Sequence, residues 1–157
     1  MASIWFTLTQ FTQTQIQALG LQLPDASPLP DAQVYLRRLV VDRDIVLPCI
    51  QVAPGDREEE LDGSTEDLEV RFPVAVAFIV AVNQDYTLVD VDLPWREAIM
   101  DAFADQTPVK ITLPDANVSD LQIEPLAVTD MDAWRNQNLV MGGMLFNYRV
   151  NRIRKNR

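Results

Sequence analysis

The chain has 157 residues, 48% of them apolar and 23% charged, with a formal net charge of −10, no histidine and one cysteine. This length and apolar content suit one globular domain with a core of its own and exclude a disordered or fibrous chain. The acidity argues against a protein that grips nucleic-acid phosphates, the missing histidine removes the commonest general base and metal ligand, and one cysteine leaves no disulfide within the chain.

The opening MASIWFTLTQFTQTQ lacks the basic start and continuous apolar stretch of a signal peptide, so the expected compartment is cytoplasm. Residues 4–19 place Ile4, Leu8, Phe11, Gln15 and Leu19 on one helical stripe, and Gly20 stands where a C-capping glycine would. The many threonines leave the first half of this segment open between strand and helix. LQLPDASPLPD, with three prolines, then reads as an irregular arm able to reach a neighbour.

QVYLRRLVV and DIVLPCIQVA predict two strands, the second an edge strand or one starting near Pro48. Cys49, inside that apolar stretch, reads as a small buried hydrophobe. The segment DREEELDGSTEDLE follows, with Gly63 as the turn of a hairpin. After it, Leu68, Val70, Phe72, Val74, Val76, Phe78, Val80 and Val82 share one parity, which demands a strand with one face in the core. The other parity runs Glu69, Arg71, Pro73, Ala75, Ala77, Ile79 and Ala81, so the second half of the strand is expected to be covered on both faces, by a helix or another subunit. The apolar run at 72–82 contains Pro73 and is shorter than the roughly 20 residues of a membrane helix, so no membrane span is expected.

PWREAIMDAFAD predicts an amphipathic helix with Pro94 in its first turn, Trp95, Ile99, Ala102 and Phe103 inward, and Arg96, Glu97 and Asp101 outward. VKITL and VSDLQIEPLAV read as further strands, and TDMDAW as a capped short helix starting near Thr129 or Asp132. Residues 139–151 form the last predicted strand, where Gly142 and Gly143 mark a bulge or the close approach of another backbone. The order predicts an α+β fold, a single domain with a mainly antiparallel β-sheet, a long β-hairpin and flanking helices. Its parts are an N-terminal helix and Pro-rich arm at 1–32, an α+β core at 33–151 and a basic tail at 152–157.

Without histidine, Ser-His-Asp, Cys-His and HExxH sites are excluded, and no glycine-rich phosphate loop occurs. EEELDGSTED does not match an EF-hand loop, and consecutive glutamates cannot all turn toward one ion. Asp90-Val91-Asp92 reads as a cap for the following helix, and Trp5, Trp95 and Trp134 as core or interface anchors. Two charged features remain. One is the acidic loop with Asp56, Glu58, Glu59, Glu60, Asp62, Glu66 and Asp67; the other is a basic end with Arg149, Arg152, Arg154, Lys155 and Arg157. Unlike patches at separate places suit head-to-tail contact between identical subunits, and a solvated hairpin tip accounts for the acidic patch equally well.

The order VYLRRLVVDRDIVLPCIQVAPG, acidic loop, VRFPVAVAFIVAV, PWREAIMDAF and LQIEPLAVTDMDAWRNQNLVMGGMLFNYRV resembles the tail-terminator and neck (head-to-tail joining, tail-completion) proteins of tailed bacteriophages. The resemblance covers residues 33–151 and rests on element order with Arg96, Pro125 and the closing Phe146, Tyr148, Arg149 and Val150. It implies a non-enzymatic virion protein without cofactor or metal, whose core assembles into a ring, usually a homohexamer. Such a ring contacts neck or connector and tail-tube or sheath proteins, passes genomic DNA as cargo, and waits in host cytoplasm before assembly. On that expectation the acidic loop lines the lumen or a subunit interface, where like charge would keep DNA from sticking. The alternatives are a cytoplasmic α+β module with a small apolar ligand between the long strand and the Trp95 helix, and a metal-dependent carboxylate enzyme.

Overall fold

Alternation of apolar residues over an uninterrupted stretch produces a 15-residue strand, β4 (Asp67–Ala81), about which the rest of the molecule is arranged. The computed structural model describes residues 3–63, 67–81, 88–104, 111–113, 115–126 and 137–153. Its elements are α1 (Ile4–Ala18), β1 (Val34–Leu36), β2 (Cys49–Pro54), β3 (Glu59–Gly63), β4, α2 (Leu88–Ala104), β5 (Ala116–Pro125) and β6 (Leu139–Ile153). They form one α+β unit with a six-stranded sheet in the order β1-β2-β4-β6-β5. One edge of β4 is shared, β2 pairing with Val74 to Ile79 and β3 with Leu68 to Arg71. A hairpin is present, but the acidic segment is not the expected loop with Gly63 as its turn: Glu59–Gly63 is itself a strand, and Gly63 is paired within it opposite Leu68, because the segment's backbone finds partners on the free edge of the first half of β4. Among the described residues β1 with β2 is the one parallel pair.

Both helices lie on one face of the sheet. Val70 to Val80 of even number on β4 and Met144, Phe146, Tyr148 and Val150 on β6 meet Leu8 and Ile16 of α1 and Trp95, Ile99 and Phe103 of α2 in one core. Aromatic edges lock this layer, with Trp95 against Phe78 at 5.5 Å and Phe103 against Phe146 at 4.9 Å, both near perpendicular. On the opposite face, Cys49, Ala77, Ile79, Leu139 and Met141 form a smaller cluster under Tyr35, Val40, Ile45, Leu47 and Leu126. The second half of β4 is thus buried on both faces as its composition required, but the second cover is the chain's own 37–47 segment rather than a helix or another subunit.

That cover explains why only Val34–Leu36 of the predicted QVYLRRLVV strand pairs. Of the apolar residues that follow, Val40, Ile45 and Leu47 pack partly buried against the sheet face instead of joining a ladder, while Leu39 and Val46 stay exposed. Gln51 of β2, fully buried, holds the segment by donating to the Val41 carbonyl at 2.5 Å and accepting from the Val41 N–H at 2.8 Å. β2 starts immediately after Pro48, yet it is interior, flanked by β1 and β4.

The whole of 4–18 is helix, settling the threonine-rich first half; Ser3 is its N-cap, and Gly20 stands as expected beyond the C-cap, at φ +62. Its buried face is rotated from the predicted stripe and centres on Leu8, Thr9, Thr12 and Ile16. Thr9 and Thr12 tolerate burial because each hydroxyl donates to the carbonyl one turn back, at 2.8 Å from Trp5 and Leu8 respectively. The Pro-rich arm packs on its own subunit, with Leu21 and Leu29 in the main core, a bridge between Gln22 and Pro28, and the Trp95 indole donating to the Gln22 carbonyl at 2.8 Å.

Helix α2 begins at Leu88, so Pro94 is interior and Asp90 and Asp92 lie within the helix instead of capping it from outside. The proline is exposed and lies close enough to the helix start that its missing N–H costs the ladder little. Of VKITL, residues 111–112 are not strand and Leu113 makes only an isolated bridge with Ala116. The predicted short helix at TDMDAW lies outside the described residues. β6 carries the expected close approach: Gly143 has φ +140, and a Cβ there would stand 2.0 Å from the Val76 carbonyl oxygen.

Candidate functional site

The face of the sheet away from the helices is covered only in part, because the 37–47 segment lies over one end of it. Beside that segment is an open groove of about 620 Å³. Strand pairing builds its floor: Ala75 lies opposite Leu145, and Pro73 opposite Asn147. Leu39, Val40, Leu126 and Met141 bound it at one end, and the Arg71–Glu59 pair at the other. Across the strands it runs from Gly55, Asp56 and Arg57, just after β2, to Glu124 on β5.

Asn147 is the unusual member of this floor. Only 6% of its surface is exposed, it lines the groove, and its side-chain amide has no hydrogen-bond partner among the described residues. The amide is not sealed off from the groove: among the described residues the one enclosed side-chain polar atom without a partner is Arg37 Nε. The sequence does not single out this residue, since an asparagine between Phe146 and Tyr148 reads equally as an outward strand position.

The predicted acidic and basic features meet within one subunit. β3, carrying Glu59, Glu60 and Asp62, pairs with β4 from Asp67, and β6 carries Arg149 and Arg152 along the other edge of the same stretch. Arg71 and Arg149 are direct cross-strand partners, a repulsive placement unless compensated. Glu59 pairs with Arg71, and Glu69 lies 3.9 Å from Arg149. The hydrogen bond and charge of Arg71 hold the Glu59 carboxyl below its ordinary range. Asp56 and Glu58 are exposed on the connection from β2 to β3. Glu66, Arg154, Lys155 and Arg157 lie outside the described residues, as does Trp134. Because the two charge patches are neighbours in one sheet, they do not by themselves make opposite poles for head-to-tail contact.

The acidity of this stretch has a local role as well. β3 borders β4 at the margin of the sheet, and its glutamates and the register shift between Glu60 and Asp62 make that margin a poor template for a further strand.

The space between β4 and α2, where a small apolar ligand was expected, is filled by Phe78, Trp95 and Ile99, all fully buried. Trp5 and Trp95 are anchors, the former donating to the Pro73 carbonyl at 2.6 Å. Cys49 is buried, and loss of water pushes its thiol up to about 12. Among the described residues no three His, Cys, Asp or Glu side chains gather as metal ligands, and no helix is long and apolar enough to cross a membrane.

Helix α2 has two further features. Arg96 donates to both Asp92 oxygens, at 3.1 and 2.9 Å, and to the Gly143 carbonyl at 2.9 Å, tying the helix to β6. Val89, Leu93 and Met100 are 61%, 59% and 42% exposed. Their spacing of four and seven puts them on one helical side, a signal present in the sequence once the helix is extended back to Leu88.

Set against known proteins, the chain matches no family model and no curated protein at a significant level.

Proposed function

We propose that the chain is a structural subunit of a tailed-bacteriophage neck, resembling tail-terminator proteins, which assembles as a hexameric ring through which DNA passes. The observation that carries self-association is the outward stripe of Val89, Leu93 and Met100 on a helix whose opposite side is fully packed. An apolar side of this kind gains by being covered. The phage assignment rests on the order of elements and on Arg96, Pro125 and the closing strand; the α+β fold is compatible with it.

Native mass spectrometry with electron microscopy tests the reading. A closed ring at six times 17.8 kDa, lost in Leu93→Glu, supports it. Strict monomers at the highest soluble concentration, with no labelling of phage necks by an antibody against the chain, refute it. A small-ligand module is the second reading, favoured by the open groove, and predicts monomers that carry a bound small molecule.

A further inference from the structure

We propose that the groove on the open face of the sheet is a docking site for an extended peptide segment of another protein, its backbone held by Asn147. This inference is independent of the ring.

An asparagine amide presents one acceptor and two donors, the complement of a peptide group's N–H and C=O. Asn147 is 94% buried by the 6% exposure given above, lacks a partner among the described residues, and opens onto the groove. The same face of the same sheet already shows what such an amide does. Gln51 holds the bent 37–47 segment at Val41, through that residue's N–H and C=O together. That piece supplies Leu39 and Val40 as a wall of the groove, so a docked segment would continue an existing layer.

The dimensions and charges specify the occupant. From the connection after β2 to β5 is three strand spacings, about 14 Å, which about four extended residues span. The floor at Ala75 and Leu145 is apolar and accepts an aliphatic side chain. Asp56 and Glu124 stand on opposite sides of the groove, both exposed and without an ion pair among the described residues. Arg57 lines the groove next to Asp56 and offsets its charge, so Glu124 at the β5 side is the carboxylate that favours a lysine or arginine beside the apolar residue.

The test is an array of short, end-capped peptides of random sequence probed with the intact protein, followed by calorimetry of the best binders. Enrichment of an aliphatic residue next to Lys or Arg is expected. Asn147→Leu, nearly isosteric, should weaken binding about ten-fold through two lost hydrogen bonds. It should leave the melting temperature of the free protein unchanged or raised, because no paired amide is removed. Glu124→Lys, on the exposed rim, should weaken the cationic peptides without affecting folding. The proposal is overturned by an array with no enriched sequence, by binding within two-fold in both variants, or by a clear drop in melting temperature for Asn147→Leu. Binding of the apolar dye 1-anilinonaphthalene-8-sulfonate in the groove, with no peptide enriched, would assign it to small molecules and also overturn the proposal.

Discussion

The hydrogen bond between α1 and β6 offers a test in which the sign of an effect reverses. The Tyr148 hydroxyl, fully buried, is 2.7 Å from Thr12 Oγ1, and that oxygen is also 2.8 Å from the Leu8 carbonyl. A carbonyl only accepts, so the single Thr12 proton goes to Leu8 and Tyr148 donates to Thr12. Thr12→Val keeps the shape but leaves a buried phenolic donor without an acceptor, which costs about 1–3 kcal/mol. Tyr148→Phe removes the donor while Thr12 keeps its bond to Leu8, at about 0.5–1.5 kcal/mol. In the double variant no group is orphaned, so the expected total is only about 0–1 kcal/mol. Adding Tyr148→Phe to Thr12→Val should therefore restabilise the protein. Urea unfolding of the four proteins reads this as a midpoint shift with unchanged slope, and 1 kcal/mol corresponds to about 2–4 °C in a melt. Additive losses, with the double variant the least stable, would refute the assignment of donor and acceptor.

Gly143→Ala should lower stability by about 3 kcal/mol or more, because the new Cβ meets a backbone oxygen inside the β4–β6 ladder and not a yielding side chain; a melt within 2 °C of wild type, the rough scale of 1 kcal/mol here, would contradict that geometry. Arg96→Met removes charge-assisted bonds to Asp92 and Gly143 that are only partly screened, and should cost about 1–2 kcal/mol in urea unfolding. Burial raises the Cys49 thiol from 9.0 to about 12 and carries the Tyr148 phenol well above its ordinary value. Both folded-state values lie above the unfolded ones, so their contribution is complete below pH 9 and declines as pH climbs from 9 toward 12, by at most about 1.4 kcal/mol per pH unit for each group. Stability measured across that range should fall less steeply in Cys49→Ala than in wild type.

How much of this was legible beforehand depended on whether a feature is periodic or relational. Period-two alternation from Leu68 to Val80 and the apolar inward side of α2 are properties of neighbouring residues, and they revealed the long strand, the helix and the α+β class before any contact was known. Glycine chemistry was equally local at Gly20 and Gly143. The buried face of α1 was not, since Thr9 and Thr12 become core residues only when their hydroxyls close back onto the helix and Tyr148 arrives from β6.

The candidate site belonged wholly to the second kind. Asn147 becomes a groove-lining amide only because β4 places Pro73 opposite it and the groove between the end of β2 and β5 is left open above it. Glu59 and Arg71, twelve positions apart, become partners only through hairpin register. The amino-acid sequence by itself determined the long strand β4, the closing strand β6 and helix α2, with the apolar side of each, because local backbone preference and solvent sorting set those. Tertiary structure alone decided that a bent segment would cover the second face of β4, that Glu59 would meet Arg71 and Glu69 approach Arg149, and that an open groove lined by Asn147 would remain, because each depends on groups distant along the chain competing for the same surface.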